Sequence, residues 1–283
     1  MKTLVYRMGG LGDSLLIYPV LEGLTKKGYA LTVWGNPEYF KLAEIAGFCS
    51  KTTFYEPKED FDLKIIFSKN KEIFSSFTAH CSSLAQTVFI EPIPKGKIWA
   101  VDYYLKSLGM ETEGFSKTLN LNFNVKKYPG LCIIHPGSGS KKKNPEPEFF
   151  IKLRDVLNKA GWEVIYIAGP AEKEIIKNYQ NSIYVDNTVD LAKNLLKASL
   201  YIGLDSGVSH LSSYLGIPSI VIFGPTDPEV WHPVGEHLIN IRYANCPPCF
   251  PSVCKEKFCL HQDFLMEEIL LKLKKFNQRY LMT

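Results

Sequence analysis

The feature that most restricts how this chain can fold is a rhythm: short apolar runs alternate with longer amphipathic stretches, break off once, and start again. Parallel strands need a crossover, and the crossover is normally helical, so such alternation specifies parallel sheets covered by helices. In the first half it predicts strands over 2–7, 30–34, 62–67 and 86–89, with helices over 13–26, 37–46, 69–78 and 98–108. The rhythm fails over 111–128, which lacks a helical period, holds Asn120, Asn122 and Asn124, and runs into Lys126-Lys127-Tyr128-Pro129-Gly130. That stretch reads as a connection between domains. Strands are then expected over 131–134, 163–168, 183–185, 200–202 and 219–223, and helices over 146–160, 172–179, 189–198 and 208–215. A final helix is expected over 263–281, with Phe264, Leu265, Ile269, Leu270 and Leu273 on one broad face.

The expected fold is therefore α/β, with two similar halves and a cleft between them. The boundaries fall at 1–125, 130–262 and a terminal helix over 263–283. Ligands of such sheets bind at the carboxyl ends of the strands, so function is sought in the turns that follow strands.

Bulk properties exclude several alternatives. A chain of 283 residues that is 46% hydrophobic can bury two ordinary cores. Its net charge of +4 suits an anionic substrate or acidic lipid head groups but is too small to indicate nucleic acid. No apolar run reaches the ~18 residues of a membrane span. Residues 1–7 run directly into a glycine-rich turn and read as a first strand, not a signal peptide, so a cytoplasmic location is expected. Cys49, Cys81 and Cys132 stand singly and read as small buried hydrophobes.

The first strand ends in Gly9-Gly10-Leu11-Gly12-Asp13-Ser14, which opens a helix. Gly9, Gly10 and Gly12 let the backbone bend tightly and approach a ligand. The spacing does not match the dinucleotide-binding G-x-G-x-x-G, and no acidic residue closes the second strand. Asp13 has two readings: a capping charge at the helix start, or a general base for an acceptor hydroxyl.

The second half carries the more specific pattern. His135-Pro136-Gly137-Ser138-Gly139-Ser140 followed by Lys141, Lys142 and Lys143 places small residues and cations after a strand. It reads either as a solvated basic loop or as a phosphate cradle in which Ser138 and a lysine meet a diphosphate. Asp205-Ser206-Gly207-Val208-Ser209-His210 gives another strand-to-helix turn, whose capping residues and free amides suit an anion. Thr226 closes the next strand with a hydroxyl. His210 reads either as a packed polar residue or as part of the same anion site.

These turns resemble glycosyltransferase family 9, the ADP-heptose:lipopolysaccharide heptosyltransferases. The likeness lies in the Gly-Asp turn with Pro19 and Leu21, in His135-Pro136-Gly137 with its lysine and Asn144-Pro145, and above all in Asp205–Leu211 leading to Phe223-Gly224-Pro225-Thr226-Asp227-Pro228. The resemblance covers nearly the whole chain. It implies a GT-B fold of two Rossmann-like domains facing a central cleft, with an acceptor-binding N-terminal domain and a donor-binding C-terminal one. The last helix would cross back to the first domain.

The implied reaction is an inverting transfer of heptose from ADP-heptose to a lipopolysaccharide inner-core acceptor, with no cofactor in the chemistry. Asp13 would be the base. Lys142, three residues before Pro145, would contact the donor phosphates, with Lys141 and Lys143 as adjacent alternatives. Ser138, Asp205, Ser206, Gly207, His210 and Thr226 would line the donor site. Many relatives have Trp where this chain has Asn144. The acceptor implies a cytoplasmic protein in peripheral contact with the inner membrane. The rival readings are a UDP-sugar transferase or epimerase of the same shape, and a non-catalytic nucleotide-sugar binder.

Cys246, Cys249, Cys254 and Cys259 form a C-x2-C-x4-C-x4-C segment. In a reducing compartment this density points to a structural zinc or iron site, against a metal-free cysteine loop or disulfides.

Overall fold

The computed structural model describes residues 1–70, 86–250, 252–254 and 258–280. The chain divides into two units, Met1–Asn122 and Phe123–Thr283. Most of the helix expected over 69–78, and Cys81, lie outside the described residues.

In the first unit the described strands are β1 (Lys2–Arg7), β2 (Ala30–Gly35), β3 (Lys51–Thr53), β4 (Leu63–Phe67) and β5 (Gln86–Ile90), all parallel, in the order β3-β2-β1-β4-β5. Helices α1 (Leu11–Leu15), α2 (Tyr18–Lys26), α3 (Pro37–Ile45) and α4 (Ala100–Ser107) accompany them. The helix expected over 13–26 is thus two helices. Pro19 stands in the first turn of α2, where its missing N–H costs nothing; inside a continuous helix the same residue would break the ladder. β3 was not expected. It is a three-residue strand with no apolar residue, paired only to β2, so it leaves no hydrophobic signal.

The second unit contains β6 (Leu131–His135), β7 (Glu163–Ala168), β8 (Ser182–Tyr184), β9 (Leu200–Leu204), β10 (Ser219–Phe223) and β11 (Leu238–Arg242). They form one parallel sheet in the order β11-β10-β9-β6-β7-β8. Renumbered within the unit, this is the 3-2-1-4-5-6 order of a doubly wound sheet, and its direction of winding reverses between β6 and β9. Every residue of β6, β9 and β10 is buried, as expected of strands covered on both faces. The helices are α5 (Pro147–Lys159), α6 (Thr188–Leu195), α7 (Gly207–Tyr214), α8 (Pro228–Trp231) and α9 (Gln262–Tyr280).

Local sequence explains these boundaries. α5 opens with a proline, buries Phe149, Phe150, Leu153 and Leu157 at helical spacing, and is followed by Gly161 at φ +89°. The helix expected over 172–179 is replaced by two 3-10 turns, Pro170–Glu172 and Ile175–Asn178, because the Glu172 side chain turns inward to bond the Gly169 N–H. Leu265, Ile269 and Leu273 of α9 lie in the core of this second unit, with Phe264 and Leu270 packed against it. None of the described helices is long and apolar enough to cross a membrane.

Candidate functional site

In the first unit the direction of winding reverses between β1 and β4, and the turn after β1 carries Asp13. Asp13 occupies the first turn of α1, where the helix dipole favours a carboxylate. Arg7, at the end of β1 and almost fully buried, donates from Nη2 to Asp13 Oδ1 at 2.8 Å. The Gly10 N–H donates to Oδ2 at 3.0 Å. These two bonds fix the carboxylate plane, while 44% of the side chain stays exposed.

Gly9 is required by close approach: a Cβ there would stand 2.8 Å from Asp13 Cβ. Gly10 precedes α1, and its carbonyl accepts the Ser14 N–H at 3.0 Å, while Gly12 lies within the helix. Tyr104 packs nearby. Burial, opposed by Arg7 and reinforced by the Asp13 charge, pushes its phenol up to about 12. Sequence reasoning singled out Asp13 and the glycines but not Arg7, which reads there as the last residue of a strand.

In the second unit the strand-end turns of β6, β9 and β10 meet. Asp205, buried after β9, accepts from Lys143 Nζ at 2.6 Å and from Thr226 Oγ1 at 2.5 Å, both at Oδ2. His210 Nε2 lies 3.9 Å from the other oxygen, Oδ1. Lys143 Nζ also reaches the Asp205 carbonyl at 3.4 Å. So Lys143, not its neighbour, is the lysine tied to Asp205. Lys141 and Lys142 are exposed on the 3-10 turn Lys141–Lys143. Ser138 folds its own loop instead: its hydroxyl lies 2.6 Å from Asn144 Oδ1 and 3.0 Å from the Ser140 carbonyl.

Ser206 caps α7 by accepting the Ser209 N–H at 3.4 Å. The amides of Gly207 and Val208, in the first turn, have no intrahelical acceptor and are suited to an anion. Behind the cap, His135 is 1% exposed, with Nδ1 3.3 Å from Ser206 Oγ and Nε2 3.4 Å from Glu172 Oε2. Burial alone would push the Glu172 carboxyl up. The His135 imidazole and the Gly169 N–H outweigh it and hold the carboxyl below its usual range. Gly137 makes this possible, since a Cβ there would fall 2.1 Å from Glu172 Cγ. Sequence reasoning placed Glu172 in a helix and missed it. A carboxylate in the run Gly169-Pro170-Ala171-Glu172 at a strand end was the available signal.

The cysteine segment lies against the same strand-end region. The Cys249 N–H donates to the Pro225 carbonyl at 2.6 Å. Cys246, Cys249, Cys254 and Cys259 are all free thiols, as are Cys49 and Cys132. Burial raises the Cys249 thiol, and its hydrogen bond with Cys254 and the nearby Cys246 raise it further. Burial, with Cys246, Cys254 and Cys249, pushes Cys259 up to about 12. Arg242 donates to the Cys246 carbonyl, and its buried Nε has no partner among the described residues. Among the described residues no set of three or more His, Cys, Asp or Glu side chains is arranged to hold a metal ion.

Residues 98–260 match the sequence profile of glycosyltransferase family 9 (heptosyltransferase). The chain is 29% identical over 316 residues to lipooligosaccharide heptosyltransferase 2 of Campylobacter jejuni, covering 98% of this chain and 99% of that protein. Its fold is similar to that of the Escherichia coli heptosyltransferase WaaC solved with ADP, with a TM-score of 0.69, 17% identity, and coverage of 96% and 99%. It is also similar to the iron-containing dodecameric glycosyltransferase TibC of enterotoxigenic E. coli, with a TM-score of 0.68, 15% identity, and coverage of 99% and 77%. The two parallel sheets thus have the α/β architecture of GT-B heptosyltransferases.

Proposed function

Because the chain belongs to glycosyltransferase family 9, we propose that it transfers heptose from ADP-heptose to a lipopolysaccharide inner-core or related acceptor, with inversion at the anomeric carbon. The observation that carries the donor assignment is the convergence of Lys143, Asp205, Thr226 and the start of α7 beside the reversal of the second sheet. A nucleotide diphosphate suits that end of the sheet. Lys142 supplies an exposed ammonium, and the amides of Gly207 and Val208 supply oriented dipoles. The named relatives agree in kind: one is a heptosyltransferase, and another was solved with ADP.

In this reading Asp13 is the base. A carboxylate offers about four lone-pair positions, of which Arg7 and Gly10 occupy two. The remainder can receive the proton of an acceptor hydroxyl as that oxygen attacks the anomeric carbon. The bond from the anomeric carbon to the diphosphate breaks, and the charge that develops on ADP is stabilised by Lys142 and the amides of α7. The acceptor implies work on the cytoplasmic side of the inner membrane, where a net charge of +4 suits contact with acidic head groups.

The test is mass spectrometry of products from ADP-heptose and a panel of truncated core acceptors. One acceptor should gain a single heptose, and Asp13→Ala should retain ADP binding while losing transfer. Unchanged turnover by that variant would remove Asp13 from the chemistry. Thermal stabilisation by UDP-sugars and not by ADP-sugars would redirect the donor assignment.

The same reading gives the four cysteines a structural metal. Four sulphur donors suit tetrahedral zinc or an iron centre, and the half-buried Arg242 guanidinium fits beside the negative charge that four thiolates would bring. Cys246, Cys249, Cys254 and Cys259 would hold it, leaving no position open for substrate. Purified protein should carry about one metal ion per chain, and Cys249→Ser should carry much less. Equal and negligible metal in both would end this part of the proposal.

A further inference from the structure

His135 ends β6, the strand on one side of the reversal in the second sheet. β9, its neighbour on one flank, leads to Ser206, and β7, its neighbour on the other, leads to Glu172. A single buried imidazole therefore touches both flanking turns, at 3.3 Å on Nδ1 and 3.4 Å on Nε2. We propose that His135 is a positioning residue for the donor: by joining Glu172 to Ser206 it holds the turn Asp205–Gly207 in the form that receives a diphosphate. This inference rests on the donor reading given above.

The protons follow from the neighbours. A carboxylate accepts and does not donate, so the nitrogen that faces Glu172 at 3.4 Å, Nε2, carries the hydrogen in an electrostatic contact that closes no hydrogen bond, and Nδ1 is left as an acceptor. The Ser206 hydroxyl then donates to Nδ1, and its lone pairs are free to accept the Ser209 N–H that caps α7. Ser206 Oγ also lies 3.4 Å from Ser209 Oγ, which donates to the Leu204 carbonyl at 2.5 Å and lies 2.9 Å from the Tyr201 hydroxyl. The serine is thus turned into the protein, and the amides of Gly207 and Val208 are left for the ligand. Two glycines make the arrangement possible. Gly137 admits Glu172, and a Cβ on Gly203 would fall 2.3 Å from the Tyr201 hydroxyl and 2.9 Å from Ser209 Oγ.

Two polar substitutions separate the two contacts. His135→Asn keeps an acceptor near the place of Nδ1 and gives up Glu172, whereas His135→Gln reaches toward Glu172 and gives up Ser206. Calorimetric titration with ADP and steady-state kinetics are read on both, on Ser206→Ala, and on the double variant. His135→Gln should weaken ADP binding about fivefold to tenfold, the worth of one buried hydrogen bond, with a smaller effect for His135→Asn. The donor KM should rise with it while kcat at saturating donor stays within about threefold, the mark of lost binding rather than lost chemistry.

In the Ser206→Ala background His135→Gln should add less than about twofold, because both changes remove one interaction. Wild-type affinity in His135→Gln, or effects that multiply in the double variant, would overturn the proposal. If a His135 variant does not give a cooperative melt, Ser206→Ala decides: it must itself weaken ADP with kcat kept, and unaltered ADP binding there refutes the role. If the wild-type protein itself fails to bind ADP, the donor reading fails instead, which the wild-type titration reports separately.

Discussion

Lys142 and Lys143 are adjacent in sequence, yet Lys143 is tied to Asp205 while Lys142 is exposed, and the donor reading proposed above assigns them different tasks that a pair of substitutions can expose. Lys143 Nζ lies 2.6 Å from Asp205 Oδ2, with side-chain exposures of 19% and 7%. Lys143→Met strands a buried carboxylate. Removing one partner of a fully buried pair costs about 3–5 kcal/mol. Two features reduce this: the Thr226 hydroxyl keeps its bond to Oδ2, and the one-fifth exposure of Lys143 lets water reach the vacated place. The expected loss is about 2–3 kcal/mol. For a unit of this size that lowers the melting temperature by roughly 5–10 °C.

Lys142→Met removes an exposed ammonium and should change stability by less than about 0.5 kcal/mol. It should nevertheless raise the Kd for ADP tenfold or more, on the order of 1.4 kcal/mol. Urea denaturation and calorimetric titration of the two variants side by side measure both quantities. A destabilised Lys142→Met with normal ADP affinity, or a Lys143→Met as stable as wild type, would refute the division of roles.

Two further outcomes are expected. Gly137→Ala would put a methyl group 2.1 Å from Glu172 Cγ, forcing the carboxylate away from His135 at a cost of about 1–3 kcal/mol; an unshifted urea midpoint would count against the contact. The Glu172 carboxyl is held below its ordinary value of 4.5 in the folded state, so its stabilisation is complete above about pH 4.5 and is lost as the pH falls through the lowered value. Denaturation series between about pH 6 and pH 3 should therefore show a shallower acid loss for Glu172→Gln than for wild type, and parallel curves would contradict the sign.

What could be read from the sequence follows from how each feature is encoded. Strands such as β6, β9 and β10 are fully buried, so their apolar runs stand out. β3 and β11 lie at sheet edges and were passed over: Lys51–Thr53 is polar, and Leu238–Arg242 alternates over too short a span. At the site, Asp205, Ser206 and Thr226 were legible because strand-to-helix turns have local chemistry. Arg7 and Glu172 were not, because their meaning lies in a partner brought near by folding. The choice among three lysines was open for a related reason, since only the meeting of two distant turns shows which one Asp205 engages.

The short turn Lys141–Lys143 is a 3-10 helix, in which each residue is rotated by about 120° from the last. Three consecutive side chains on such a turn leave the axis in three separate directions. A stretch that looks like a redundant patch of positive charge is therefore a set of non-interchangeable arms. Only the arm that sets out toward Asp205 makes the ion pair, so charge on the other two bearings does not replace it.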